Sequence, residues 1–291
     1  MSICELGLIG CGNMGSAIVR AAVKKIAPSK VLLANRTAAK AEVLAAELGC
    51  QSGNNEDVVT FCNYIFLGVK PGMMEDMLKP LQGILRERYA NACPSCTSEN
   101  PAAGKLTQPE KQMASFVLVT MAAGLSIAEI QRMAGGAYPV IRIMPNTPVS
   151  IGKGMTLACA SPEVTEEQLR EFEAFMAETG RLDYIPEHLI DAASALSGCG
   201  PAYVYLFIEA LSDGAVECGL PRQKAIEYAC QTLIGAASLV LESGSHPGTL
   251  KDAVCSPGGT TIAGVHALER GGLRCAAMDA VKAAYDKTCE L

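Results

Sequence analysis

At 291 residues the chain is too long for one ordinary core and about right for two domains. Apolar residues make up 49% of it and charged residues 19%, which excludes a disordered chain. A net charge of −6 excludes a general nucleic-acid binder, which needs a basic face to displace counterions.

The opening MSICELGLIGCGNMG lacks the basic n-region of a signal peptide and runs straight into structure. CELGLIGCGNMG reads as a short apolar strand entering a glycine turn, and SAIVRAAVKK follows with helical spacing. Gly10, Gly12 and Gly15 stand in GxGxxG spacing between that strand and that helix. Such glycines permit a tight turn and let the backbone approach a pyrophosphate resting on the helix N-terminus. The strand–turn–helix context makes the motif specific; the alternative is a tight turn with no ligand.

KVLLANR is a second strand. An NAD site usually carries an acid at its end to bind the ribose hydroxyls, and this chain has Asn35 and Arg36 there. No carboxylate repels a 2′-phosphate and a guanidinium is available to pair with it, so the cofactor expected is NADPH in preference to NADH. The alternative for Arg36 is a solvated surface charge. AAKAEVLAAELG reads as a helix stopped by Gly49, and YIFLGVK as a strand of a parallel sheet covered on both faces.

VKPG (Val69–Gly72) and MAAG (Met121–Gly124) fall at carboxyl ends of strands, where open α/β sheets bind ligands. Lys70 is either a base or a neighbour of the phosphates. Between the two, residues 90–115 are polar, aperiodic and carry three prolines, so a surface loop or insertion is expected. That stretch contains CPSC, Cys93 and Cys96, but zinc needs two further ligands at comparable spacing and none is near, so no metal site is expected. FVLVTMAAG and VIRIMPNTP resume the sheet pattern. Alternating strands and helices predict a doubly wound, Rossmann-type α/β sheet.

After about residue 160 the texture becomes helical, which predicts a dinucleotide-binding domain over 1–160 and an all-α domain over 161–291. TEEQLREFEAFMAETG opens with a capping box, Thr165 and Gln168, and presents Leu169, Phe172 and Met176 on one face. RLDYI is a short strand. AYVYLFIEAL is apolar around nearly its whole circumference, which predicts burial in a bundle completed by a second subunit. PRQKAIEYACQTLIGAASLVLESG starts a further helix at Pro221. The longest apolar runs fall well short of the roughly 20 residues a bilayer crossing needs. A cytoplasmic protein is expected, with its 13 cysteines reduced.

SPGGTTIAGVHALERGG, LSGCGPAYVYLFIEALSDGAVECGLPR, HPGTLKDAV, MAAG and RIMPNTPVSIGKG together resemble pyrroline-5-carboxylate reductases, over nearly the whole chain and with the motifs in the family's order. The resemblance implies NAD(P)H-dependent reduction of 1-pyrroline-5-carboxylate to L-proline, a homodimer through the C-terminal helices, and a higher assembly such as a ring of dimers. By motif it carries Ile9, Gly10, Cys11, Gly12, Asn13 and Met14 to the pyrophosphate, with Gly15 completing the turn, and Asn35 and Arg36 to the adenosine side. It also carries Asn55, Gly68, Val69, Lys70, Pro71, Met121, Ala122, Ala123 and Glu187 to the cofactor. The chain departs from the pattern at Cys199, where the family usually has serine, at Ala253, often an asparagine, and in a longer loop over 91–112.

Ser256, Gly258, Gly259, Thr260 and Thr261 match the substrate end of the family. Two glycines flanked by hydroxyls and leading into a helix suit a small carboxylate, and from the residues alone simple helix entry is an equal reading. With the resemblance, Thr261 becomes the candidate catalytic hydroxyl, within reach of a ring nitrogen. A β-hydroxyacid dehydrogenase shares the glycine-rich start, but no lysine with an asparagine four residues on appears around Lys224, Lys251 or Lys282. A non-catalytic NADPH-binding regulator is the other rival, and an intact SPGGTT argues against it.

Overall fold

The computed structural model describes residues 4–92 and 116–290. Among them the strands are β1 (Cys4–Ile9), β2 (Val31–Ala34), β3 (Gln51–Ser52), β4 (Cys62–Leu67), β5 (Val117–Thr120), β6 (Val140–Pro145), β7 (Gly154–Ala160) and β8 (Gly180–Tyr184). They form one sheet in the order β3-β2-β1-β4-β5-β6-β7-β8. Pairing is parallel from β3 to β6, β7 runs antiparallel to β6, and β8 is parallel to β7. The strand order reverses between β1 and β4, the place where doubly wound sheets open a crevice for a ligand.

The sheet is covered on both faces, which is why its central strands β1, β2, β4 and β5 are mostly apolar. Tyr64, Phe66, Val117 and Val119 point to one face, against α1 (Asn13–Ala22), α2 (Ala38–Leu48) and α7 (Glu166–Met176). Ile65, Leu67 and Leu118 point to the other, against α3 (Asn55–Phe61), α4 (Met74–Leu78), α5 (Gln82–Ala92) and α6 (Ile127–Ala134). The Thr165–Gln168 capping box starts α7 as its sequence predicts, and Phe172 stacks on Phe66 with centroids 6.3 Å apart. Gly49 ends α2 in the left-handed conformation, φ 75°. Cys93, Cys96 and nearly all of the loop expected over 91–112 lie outside the described residues, and α5 itself runs to Ala92.

Two compact units emerge, Met1–Gly198 with Lys287–Leu291, and Cys199–Asp286. The boundary read at residue 160 falls inside the first of these. β7 carries the sheet on to β8, and α8 (Ile190–Ser197) packs with β7, so the helical texture after 160 first serves the sheet.

The second unit is all helix: α9 (Gly200–Glu217), α10 (Arg222–Ser243), α11 (Pro247–Ala253), α12 (Thr260–Arg270) and most of α13 (Leu273–Cys289). Pro201 sits in the first turn of α9, and Pro221 is the residue immediately before α10. The unit leaves large apolar side chains open, among them Tyr205, Leu206, Ile234 and Leu241. A helix that is apolar all round and still exposed within its own chain lacks a covering surface. Among the described residues no helix is long and apolar enough to cross a membrane.

Candidate functional site

The glycine turn is where the backbone is most constrained. Gly10 has φ 104°, and a Cβ there would lie 2.6 Å from the carbonyl oxygen of Gly68. A Cβ on Gly68 would lie 2.5 Å from the carbonyl oxygen of Gly10, so the turns after β1 and β4 touch backbone to backbone. Gly68 N–H donates to the Ile9 carbonyl at 2.7 Å, and Gly10 N–H to that of Ala34 at 2.8 Å. Gly12 differs. It precedes α1 with φ −81°, and nothing of the protein lies within 4 Å of where its Cβ would be. The space beside Gly12 is therefore room for something outside the chain, next to a helix start with no acidic residue in its first turn.

Around this turn lies a cavity of about 560 Å³. Its wall contains Ile9, Gly10, Gly12, Asn35, Arg36 and Asn55, then Gly68, Val69 and Lys70, all expected from sequence. Cys11, Asn13, Met14, Gly15 and Pro71 belong to the same turns without lining the cavity. Asn35 has a second task. Its Oδ1 accepts from Cys11 N–H at 3.0 Å and its Nδ2 donates to the Thr37 carbonyl at 3.0 Å, tying the glycine turn to the end of β2. Burial pushes the Cys11 thiol up to about 11, so it stays neutral beside any phosphate at physiological pH.

The cavity also takes in residues that sequence reasoning missed: Thr37, Lys40, Met73, Asp76, Met77 and Pro80. Lys40 is the third residue of α2, where a cation works against the helix dipole. Thr37 precedes the helix and its hydroxyl makes no capping bond. Among the described residues neither Arg36, Lys40 nor Lys70 pairs with a carboxylate. Unpaired cations and an idle hydroxyl at a helix start cost folding energy or add nothing to it, and they suit a phosphate monoester. The lysine at that position was the signal available in the sequence. The wall therefore fits a phosphorylated dinucleotide.

Leu67 pairs with Thr120, so residues 68–70 and Met121, Ala122 and Ala123 leave the sheet from neighbouring strands at the same edge. The second turn is braced by Ala122 N–H donating to Thr120 Oγ1 at 3.3 Å, and it ends at Gly124, φ 73°. Glu187 lies away from the cavity wall. Its Oε1 accepts from Ile127 N–H at 2.7 Å and stands 3.5 Å from Arg142 Nη1.

The substrate-end candidates form their own constellation in the helical unit. Gly258 has φ 68°, Gly259 N–H donates to the Ser256 carbonyl at 3.0 Å, and Gly259 precedes α12. A Cβ on Gly259 would lie 2.3 Å from Ser256 Oγ and 3.1 Å from the Ser256 carbonyl oxygen, so a larger residue there would turn the serine hydroxyl aside. Gly259 brings no capping side chain, which leaves the first-turn N–H groups beside Thr260 and Thr261 for another acceptor.

Similarity to known proteins falls on both the sheet-bearing and the helical parts of the chain. Residues 187–291 match the family model described as pyrroline-5-carboxylate reductase dimerisation, and residues 5–89 match the one described as NADP oxidoreductase, coenzyme F420-dependent. The chain is 36% identical over 288 residues to the pyrroline-5-carboxylate reductase of Pisum sativum, covering 98% of this chain and 95% of that protein. It is 37% identical to that of Synechocystis sp., covering 100% of this chain and 99% of the relative. The crystal structure of Plasmodium falciparum pyrroline carboxylate reductase with NADP bound matches with a TM-score of 0.81 at 28% identity, over 100% of this chain and 98% of that one.

Proposed function

The chain belongs to the pyrroline-5-carboxylate reductase family, and from that membership we propose that it reduces 1-pyrroline-5-carboxylate to L-proline with NADPH, the last step of proline biosynthesis. The observation that carries the reading is the Ser256–Thr261 turn. It presents glycine-cleared N–H groups at a helix start, which suits the carboxylate of a small cyclic imine.

When bound, the cofactor would supply a hydride to the imine carbon, with the ring nitrogen taking a proton from water, so that C=N becomes C–N and the cofactor is left oxidised. The protein's own work is binding and orientation. The Gly10–Gly12 turn and the start of α1 would receive the pyrophosphate, and Arg36, Thr37 and Lys40, which line the cavity, the 2′-phosphate. Residues 68–71 and 121–123 border the same sheet edge as the remaining cofactor contacts. The Thr261 hydroxyl, in the first turn of α12, would hold the imine nitrogen or pass it a proton that water replaces at the hydroxyl. Thr261→Ala is expected to lower kcat/KM for the imine by about tenfold to a hundredfold, the scale of one or two hydrogen bonds, in a steady-state assay.

The preference for NADPH rests on Arg36 and Lys40. The double variant Arg36→Ala/Lys40→Ala is expected to raise KM for NADPH by about tenfold to a hundredfold and to leave KM for NADH within about twofold. Equal losses for both cofactors would show that these cations do not read the 2′-phosphate.

Residues 187–291 form a homo-oligomerisation region, in keeping with the open apolar side chains of α9 and α10. The finer assembly proposed is a dimer through these helices that builds into a ring of dimers. A cytoplasmic setting suits a chain whose described cysteines are all free thiols. The direct test is the fall in absorbance of NADPH on adding pyrroline-5-carboxylate, with NADH run in parallel. Folded protein that binds NADPH and oxidises neither cofactor would overturn the imine reading.

A further inference from the structure

Arg142 sits on β6 and is 3% exposed, yet it carries a full charge into the sheet. Its Nη2 donates to Asp191 Oδ1 at 2.6 Å, its Nη1 lies 3.5 Å from Glu187 Oε1, and its Nε has no partner. An arginine buried in the sheet, paired with carboxylates that stay about a third exposed and left with its Nε unsatisfied, is a poor source of stability, because an apolar residue of similar volume holds the core as well without the desolvation cost. What this arrangement supplies is position. Glu187 Oε1, held by Arg142, accepts the N–H of Ile127, the first residue of α6. Ile127 lies three residues beyond Gly124, so the 121–126 turn is pinned at its start by Thr120 and at its end by Glu187.

We propose that Glu187 is a positioning residue for the cofactor: through the Ile127 N–H it holds the 121–126 turn, which follows β5 on the opposite side of β1 and β4 from Arg36, in the shape that receives the nicotinamide half, and Arg142 in turn holds Glu187. This rests on the NADPH reading of the preceding subsection and replaces a direct contact between Glu187 and the cofactor with an indirect one. The adenosine half is received elsewhere, at Arg36 and Lys40, so the two halves respond differently when the brace is cut.

Two substitutions cut the same bond from opposite ends. Glu187→Ala removes the acceptor. Ile127→Pro removes the donor, and proline is at home at the first helical position, all the more because Ser126 before it is extended, with φ −78° and ψ 163°. The readout is the dissociation constant of NADPH compared with that of adenosine 2′,5′-bisphosphate, measured on the full chain. Each single variant is expected to weaken NADPH binding by about tenfold to a hundredfold, the range of one charge-assisted hydrogen bond, with the bisphosphate within about twofold. Glu187→Gln, which keeps an acceptor oxygen, is expected to recover most of the loss. The double variant is expected to be no worse than either single one.

If Glu187→Ala costs as much in the Ile127→Pro background as in the wild type, Glu187 acts without Ile127 and the proposal is wrong. Parallel loss of bisphosphate binding would also overturn it, since the effect would then not be confined to the 121–126 turn. So would a wild-type chain that binds NADPH no more tightly than the bisphosphate. These constants need no imine, so a failure of the imine reading shows separately, as absent turnover in the wild type.

Discussion

Gly10→Ala is expected to cost about 3 kcal/mol of stability and to abolish measurable NADPH binding, whereas Gly12→Ala abolishes tight binding with a stability loss of about 1 kcal/mol or less. The two glycines belong to one motif, and their reasons for being glycine differ. At Gly10 the backbone has φ 104°, and an added Cβ would meet the Gly68 carbonyl oxygen at 2.6 Å. Neither atom is the end of a flexible side chain, so relief requires the turns after β1 and β4 to separate. That separation opens the switch point of the sheet and lowers Tm by about 6–12 °C.

At Gly12, by contrast, φ is −81° and the space beyond Cα is open, so the free protein accommodates alanine at the roughly 0.5–1 kcal/mol by which alanine is a poorer helix cap than glycine. The methyl group then occupies the room into which the pyrophosphate must come. Thermal melts and NADPH titrations of the two variants separate the effects. Loss of stability in both would mean that Gly12 too serves the fold, and retained affinity in Gly12→Ala would remove the pyrophosphate from that side of the turn.

Leu206→Glu is expected to convert the protein to monomers in light scattering and to remove its activity. Leu206 lies on α9, is 67% exposed within its own chain, and stands between Tyr205 and Phe207 in a run with no charge until Glu209. In a two-fold interface every substitution counts twice. Losing two buried leucines costs about 4 kcal/mol, close to a thousandfold in dissociation constant, before the penalty of burying two carboxylates is added. Val43→Glu is the matched control. Val43 is 69% exposed on α2 of the sheet unit, and that variant is expected to keep the assembly intact. A Leu206→Glu protein that stays oligomeric would move the interface off this part of α9.

Much of the site was legible in the sequence because it is written in local geometry. The glycine spacing at 10–15, the arginine at the end of β2 and the Ser256–Thr261 turn each act within a few residues, through allowed φ values and the unpaired N–H groups of a helix start. The apolar runs YIFL in β4 and VLV in β5 announced a sheet covered on both faces for the same reason. Lys40 was visible as a cation in the wrong turn of a helix, but its place in the cavity wall depends on α2 starting where β2 delivers it.

Other features had no local signature. The helical texture after residue 160 could not show that β8 and α8 remain with the sheet, because pairing of β8 with β7 is decided by packing across α7. Glu187 was assigned to the cofactor by motif, and only the fold shows it bonded to a backbone N–H 60 residues earlier, with Arg142 45 residues earlier behind it. Sequence by itself determined the turns, the expected cofactor and the family, since these follow from conformational limits and motifs carried by neighbouring residues. Tertiary structure alone decided which distant groups share a charge or a hydrogen bond, because that depends on strand order, and strand order is a property of the whole sheet.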